Sequence, residues 1–461
     1  MRVEYVHSSK TRPPLPPGPF TVVGLARSGI AAATALKAHG QEVFGVDSGL
    51  PGGLEALDAA GVEYELETDG LTHLDHTGTL VKSPGVPSAA AIVEEARRLG
   101  LPVIGELELG WRLVQARFLA ITGTNGKTTT TEMAAHIFRS AGQEVAAAGN
   151  VGNPLSALAT EAAGDAMTVV CECSSFQLED TLEFSPEVAI HLNLSPDHLD
   201  RHGDLESYGR TKLSIFRNQG AGDVAIVNAS DPPLHELVPP GDAAVVRFGS
   251  DPEDSRCQVT LRQGMIEVDG LPLLDVTELR VPGWHNISNA MAATAGALSL
   301  GISPEMVASG LRSFPGVAHR LEYVTEIAGV WFINDSKATN VEATRTALDS
   351  FESGVHLIAG GSYNDESFDG LLEPVKEHCQ SVYLIGEAGA AIAAALSVDA
   401  EAGVTLENCG DLETAVVKAA DAAMLGETVL LSPACASFDQ FRDYEDRGAA
   451  FRRIVGGLVV A

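Results

Sequence analysis

Short apolar runs rich in Val, Ile and Ala recur along the chain, each followed by a Gly, Asn or Asp turn and an Ala-rich amphipathic stretch. That is the βα rhythm of a parallel sheet covered by helices. It begins at "FTVVGLARSGIAAATALKAHG", where the pattern predicts a strand ending at Gly24 and a helix stopped by Gly40. "QEVFGVD" and "TLVKSPGV" follow as strands. A second set starts at "RFLAITG" and continues through "AMTVVCEC", "VAIHLNL" and "DVAIVN". Between about 245 and 282 the period shortens to β segments ("QVTLRQGMIEVDG"), which predicts an antiparallel appendix with a tight turn. After "SFPGVAHRLE" a third set appears in "GVWFINDSK", "VHLIAGG", "SVYLIGE" and "TVLLSPAC". The expected fold is α/β in three domains, with boundaries near 106 and 315.

Composition narrows what such a fold serves. A chain of 461 residues exceeds the size at which one core stops growing, and 45% hydrophobic with 20% charged residues is globular usage. A formal net charge of -32 repels nucleic acid and anionic lipid at long range, so neither is an expected partner. A bound phosphate then needs a local device. The six cysteines are scattered, which fits a reducing cytoplasm better than a disulfide framework. The start "SSKTRPPLPPGP" is polar, and no apolar run approaches the ~18 residues of a membrane span. A cytoplasmic protein without export signal or membrane span is expected.

Two glycine turns carry candidate chemistry. Gly24-Leu25-Ala26-Arg27-Ser28-Gly29 has the spacing of a dinucleotide fingerprint with Asp47 at the end of the next strand, but Ala26 replaces the glycine that lets backbone approach a pyrophosphate. A nucleotide diphosphate at the helix N-terminus fits better than a hydride carrier, which weakens an oxidoreductase reading. In "LAITGTNGKTTTTEM" the loop Gly123-Thr124-Asn125-Gly126 is shorter than the common P-loop, for Ile121 stands where its first glycine belongs. It still offers N–H groups to phosphate, Lys127 a charge for the β/γ-phosphates, and Thr128 a hydroxyl for Mg²⁺. Glu172, in "CECSSFQLED", and His198, in "HLNLSPDHLDRHG", end neighbouring apolar runs and belong to the same sheet edge as Lys127.

Together "TGTNGKTTT", "ECSSFQLE", "LNLSPDHLDRH", "YGRTKLSIF", "GWHNISNAMAA", "HRLE", "NDSKATN" and "LSPACASFDQF" resemble the successive motifs of the ATP-dependent Mur ligases, from about 20 to 450. "SSFQLE" and "SPACAS" are more similar to the glutamate-adding member than to those adding alanine, a diamino acid or a dipeptide. The family uses this shortened P-loop. The resemblance implies a Rossmann-like UDP-substrate domain (1–105), a central P-loop-type ATPase domain with a mostly parallel sheet (106–314), and a Rossmann-like C-terminal domain for the incoming amino acid (315–461). It implies D-glutamate addition to UDP-N-acetylmuramoyl-L-alanine in peptidoglycan synthesis through an acyl phosphate, ATP becoming ADP and phosphate. A monomer acting on small molecules is expected.

Site residues follow from the same resemblance. ATP would meet Gly123, Thr124, Asn125, Gly126, Lys127, Thr128 and Thr129, with Asn289 at adenine, Asn286 near phosphate, Arg320 on the transferring phosphate and Asp335 at the ribose. Lys337 adds a further charge there. Thr128 and Glu172 would hold one Mg²⁺, His198 and a carbamylated Lys212 a second. The physical case for the carbamate is separate: an ammonium ~5 Å from Mg²⁺ is repelled by about 7 kcal/mol at an effective dielectric of ~20. As an anion it could bridge to the metal. The UDP substrate would lie against Arg27, Ser28, Asp47, Ser48, Ser83, Gly85, Asn150 and Ser174, and the amino acid against Thr339, Ser437, Phe438 and Tyr444.

Two positions depart from the family pattern. Asn364 occupies the place of a lysine that meets a glutamate carboxylate, and Gly49 the place of a basic residue near UDP, for which Arg27 compensates. The alternatives are a ligase of this fold adding another amino acid such as L-glutamate, a folate polyglutamylating relative, and a catalytically silent nucleotide-binding homologue. Intact Lys127, Glu172, His198, Lys212 and Arg320 speak against the last.

Overall fold

The computed structural model describes residues 10–150, 152–160, 167–251, 253–281, 283–363, 367–397 and 403–458. Its three sheets fall in two compact units, Met1–Glu278 with Ile287–Arg312, and Leu279–Asn286 with Ser313–Ala461. No described helix is long and apolar enough to cross a membrane.

The first unit holds two sheets. In one, β1 (Phe20–Val23), β2 (Val43–Val46), β3 (Glu63–Glu65), β4 (Thr79–Lys82) and β5 (Val103–Gly105) lie parallel in the order β3-β2-β1-β4-β5. The second contains β6 (Arg117–Thr122), β7 (Val145–Gly149), β8 (Thr168–Glu172), β9 (Val188–His191), β10 (Val224–Asn228), β11 (Ala244–Gly249), β12 (Val259–Arg262), β13 (Met265–Val268) and β14 (Leu271–Asp275). Its order is β14-β13-β12-β11-β10-β9-β6-β8-β7, parallel up to β12 and then antiparallel through β13 and β14, the appendix that the short period predicts. The second unit orders β15 (Glu322–Ile327), β16 (Val330–Asn334), β17 (Val355–Gly360), β18 (Cys379–Ile385), β19 (Thr405–Gly410) and β20 (Thr428–Leu431) as β15-β16-β20-β17-β18-β19, with only β15 antiparallel.

Strands β1, β6, β8, β9 and β17 are apolar nearly throughout because helices cover both faces of a parallel sheet. On one face of the second sheet Trp111, Phe118, Phe184, Ile215 and Phe216 form a continuous core. Each such side chain contributes about 2–3 kcal/mol by leaving water. The proline-rich start packs on this same body. Arg12 pairs with Glu187 at 3.0 Å, its guanidinium 4.9 Å from the Trp111 ring and 5.0 Å from that of Phe118. Lys10 bonds Ser185 and Asp223.

A fully buried lysine joins the two sheets of the first unit. Lys82, the last residue of β4, sits 2.8 Å from Asp180 and donates to the Val86 carbonyl at 2.9 Å. Burial pushes the Asp180 carboxyl up, with Lys82 the chief group opposing it. Lys82→Met leaves Asp180 with only the longer Arg97 pair at 3.4 Å, so it destabilises by about 3 kcal/mol in urea melts, while Lys82→Met with Asp180→Leu costs less.

Candidate functional site

The P-loop connects β6 to the helix Lys127–Ser140. Gly126 has φ 82°, and a Cβ there would lie 2.4 Å from Asn289 Oδ1, so only glycine lets this helix start approach the helix Trp284–Ser299. Thr130 donates to the same Asn289 oxygen at 3.2 Å. The loop is braced from the segment after β9: Asn193 Oδ1 accepts the N–H groups of Thr124 at 3.0 Å and Asn125 at 2.8 Å, and Ser195 N donates to Thr124 Oγ1 at 3.1 Å. Asn193 stands in the quoted motif, yet its part as a brace had no signal in the spacing.

One carbonyl gathers two cations. Gly123 O accepts Lys127 Nζ at 2.9 Å and Lys212 Nζ at 2.7 Å, while Lys127 also donates to Thr124 O at 2.7 Å. Lys212, in the helix Leu205–Leu213, is buried with its ammonium 4.5 Å from the Tyr208 ring. Burial, then the charge of Lys127, pulls it down to about 7, against Asp197, Cys173 and Glu172. A lysine so placed exists substantially as the neutral, nucleophilic amine near neutral pH.

His191 ends β9 on the face that carries Phe216, with ring centroids 6.5 Å apart. It is fully buried, and neither ring nitrogen has a partner of hydrogen-bonding geometry among the described residues. Burial, then the charge of Lys212, pulls it down to about 3, the Asn193 backbone opposing slightly. It is a neutral imidazole at physiological pH. An unsatisfied buried polar group is costly, so His191→Leu raises stability by about 1 kcal/mol in urea melts.

Glu172 and Thr128, read from the sequence as holding Mg²⁺, lie at the end of β8 and in the first turn of the helix Lys127–Ser140. Glu172 ends β8 in register with Ile121 of β6; Asn150 Nδ2 donates to its Oε1 at 3.0 Å, and its Oε2 is buried without a partner among the described residues. An orphaned carboxylate oxygen beside a helix that starts with the buried Thr128 fits a hard cation. No group of three or more His, Cys, Asp or Glu side chains that could hold a metal occurs among the described residues. That suits Mg²⁺, which commonly takes one or two carboxylates and leaves the rest to water and phosphate. His198 is half exposed, at φ 51°, 3.4 Å from Asp197 Oδ2 and 4.9 Å from the Phe176 ring.

In the first sheet Gly24, Asp47 and Ser83 follow the last residues of the adjacent strands β1, β2 and β4. Asp47 accepts the N–H groups of Leu25 at 2.6 Å and Gly49 at 2.8 Å, and Ser83 Oγ donates to Gly24 O at 2.6 Å. Both side chains therefore shape the turn. A Cβ on Gly29 would lie 1.8 Å from Gly24 O, so that glycine serves close packing. Arg27, Ser48 and Gly85 are exposed, and Ser28 partly so. Arg201 was missed by sequence reasoning: it donates to Pro84 O at 3.2 Å, pairs with Glu179 at 2.8 Å and covers the Phe176 ring at 4.1 Å. It ties the Ser83–Gly85 turn to the segment capped by Ser174, whose hydroxyl accepts from Gln177 N.

In the second unit Asp335 follows β16; Leu321 N donates to it at 3.1 Å and Ser432 Oγ at 2.8 Å, and burial pushes it up to about 7. The charge of Arg320 opposes that rise. Lys337 Nζ lies 5.6 Å from the Tyr444 ring, whose hydroxyl burial pushes up to about 12. Thr339 N donates to Lys337 O at 2.9 Å. Ser437 is buried, its carbonyl accepting from Gln440 and Phe441, whereas Phe438 is 74% exposed. Asn286 falls in this unit and Asn289 in the other, though one helix carries both. Asn364 lies outside the described residues.

Comparison with known proteins gives concordant matches. Residues 121–297 match the Mur ligase middle domain, and 319–435 the Mur ligase, glutamate ligase domain. The chain is 41% identical over 445 residues to UDP-N-acetylmuramoylalanine--D-glutamate ligase of Pelotomaculum thermopropionicum, covering 95% of this chain and 97% of that one. Among solved structures it is similar to UDP-N-acetylmuramate-alanine ligase from Thermotoga maritima, at 22% identity, TM-score 0.58 and coverage of 96% and 99%. A MurF ligase from Thermotoga maritima in complex with ADP matches at 19% identity, TM-score 0.55 and coverage of 84% and 92%. At those identities the structural likeness speaks for the fold.

Proposed function

The chain belongs to the Mur ligase family, and we propose that it joins D-glutamate to UDP-N-acetylmuramoyl-L-alanine with ATP, a step of peptidoglycan synthesis. The observation that carries this reading is 41% identity to a D-glutamate-adding ligase over nearly the full length of both chains. The domains act as a UDP-substrate domain (1–105), an ATP domain (106–314) and an amino-acid domain (315–461), in a cytoplasmic monomer.

Amide formation from a carboxylate in water is uphill, so the carboxylate of the UDP substrate first takes the γ-phosphoryl group of ATP. The amine of D-glutamate then attacks the acyl phosphate, and phosphate leaves. Loop N–H groups from Gly123 to Lys127 receive phosphate oxygens, and Lys127 turns its charge from the loop carbonyls to the β/γ-phosphates. Thr128 and Glu172 would hold one Mg²⁺, a reading supported by the orphaned Glu172 oxygen; His198 and Lys212 would hold a second. Mg²⁺, when bound, supplies the charge neutralisation that crowded phosphate and carboxylate anions require. Neutral Lys212 would add CO₂: its nitrogen forms the N–C bond and releases one proton, and the resulting carbamate places a negative charge beside Lys127, whose Nζ shares Gly123 O with it. Arg320 steadies the transferring phosphate with Asn286 near it, while Asn289 and Asp335 orient the adenine and the ribose. Thr339, Ser437, Phe438 and Tyr444 receive the amino acid.

Phosphate release with ATP, Mg²⁺ and UDP-N-acetylmuramoyl-L-alanine tests this directly when D-glutamate is compared with L-glutamate and a panel of other amino acids. Dependence on D-glutamate is the expected result. Release only with another amino acid overturns the specificity, and none under any condition overturns the enzyme.

A further inference from the structure

Arg447, in the helix Tyr444–Leu458, is wholly buried and spends its guanidinium on backbone. Its Nε donates to Ser336 Oγ at 3.0 Å; one terminal nitrogen donates to Ser336 O at 2.8 Å and Cys435 O at 3.0 Å, and the other to Ala436 O at 3.3 Å. Ser336 Oγ in turn donates to Tyr444 O at 2.8 Å. The acceptors belong to two strand-end loops: Ser336 follows β16 between Asp335 and Lys337, and Cys435–Ala436 follow β20 immediately before Ser437. A third loop touches the group, because a Cβ on Gly361, just past β17, would lie 2.1 Å from Ala436 O and 3.1 Å from the guanidinium. No carboxylate pairs with Arg447 among the described residues. Burial pulls it down only to about 10, so it stays charged at neutral pH.

A planar fork of donors fits several carbonyls at once as an ammonium cannot. A buried cation bonded to three carbonyls and a hydroxyl, with Asp439 acting on it through charge alone, also leaves positive potential at the strand ends it braces. We propose that Arg447 is a positioning residue for the amino-acid substrate, clamping the Asp335–Thr339 and Cys435–Phe438 segments and biasing the cradle they form toward a dicarboxylic amino acid. This rests on the reading of Thr339, Ser437 and Phe438 as that cradle.

The test is steady-state kinetics of Arg447→Lys and Arg447→Met with D-glutamate and its neutral isostere D-glutamine, alongside Ser437→Ala and thermal melts. Arg447→Lys, which keeps the charge and loses the fork, raises the D-glutamate KM about tenfold while kcat and the KM for the UDP substrate stay within about threefold. Arg447→Met lowers the preference for D-glutamate over D-glutamine further. An unchanged D-glutamate KM, or equal rises in KM for all substrates with a lowered melting temperature, marks a merely structural residue and overturns the proposal. If Arg447→Lys does not fold, Ser336→Ala, which deletes one acceptor of the clamp, carries the same KM expectation at smaller size. Ser437→Ala separates the two readings: if it leaves D-glutamate KM unchanged the cradle assignment fails, and if it alone raises that KM only the role of Arg447 fails.

Discussion

Lys127→Ala lowers kcat about 10³-fold and leaves the fold intact, measured as ADP release at saturating substrates beside a thermal melt. The fold survives because Asn193 and Ser195 brace the loop from outside it, whereas the lysine crosses its own loop to Gly123 O and Thr124 O. The rate falls because charge accumulates on the transferring phosphoryl group, where a cation in a site shielded from water is worth several kcal/mol. Lys127→Arg recovers little, since a planar fork does not replace a point charge inside a tight loop. The charge of Lys127 is also one of the causes that pull Lys212 down. Lys127→Ala therefore moves the Lys212 titration upward. A loss below tenfold would mean that the loop does not handle the transferring phosphate.

Lys212→Met produces opposite effects on activity and stability. Under the proposed function activity falls about 10³-fold, because the carbamate that Lys212 would offer a second cation can no longer form. Stability rises, with a sign fixed by linkage. The folded-state value near 7 lies below the ordinary lysine value, so between about pH 7 and 10.4 the unfolded chain binds more protons and wild-type stability rises with pH. The cost of burying the charge is complete below pH 7 and gone above about 10.4. In carbonate-free buffer Lys212→Met is thus more stable than wild type by about 2 kcal/mol at pH 6, and the difference closes as pH approaches 10. Denaturant melts across that range check it; a gain that grows with pH would contradict the lowered lysine. In the wild type, uptake of labelled bicarbonate onto Lys212 should rise through pH 7, as the neutral amine appears.

Strands buried on both faces were legible in the sequence. "FTVV", "RFLAIT" and "VHLIAG" are apolar at nearly every position because nothing but a covered parallel sheet needs such runs. The strands that escaped are those for which edge position or composition replaces this signal: β3 is the three residues "EYE", β19 alternates polar and half-exposed positions, and β7 is mostly alanine. The antiparallel β15 was hidden for a related reason, since "EYVTEI" is an edge strand with exposed glutamates. At the site, the residues proposed to face phosphate sit in glycine-rich turns, and those turns could be read from spacing. Those that brace the turns could not: Asn193, Arg201, Lys82 and Arg447 are set by contacts that only the fold brings together. Asp47 and Ser83 taught the converse. Their places at the strand ends were foreseen, but their oxygens are engaged in shaping the turns.

The measurement that tests the central claim most directly follows oxygen. UDP-N-acetylmuramoyl-L-alanine labelled with heavy oxygen in its carboxylate is turned over with ATP and D-glutamate, and the released phosphate is examined by mass spectrometry. Transfer of the γ-phosphoryl group to that carboxylate puts a carboxylate oxygen between carbon and phosphorus, and attack by the amine leaves it on phosphorus. The account predicts one labelled oxygen in each phosphate released. Unlabelled phosphate accompanying amide formation would contradict it.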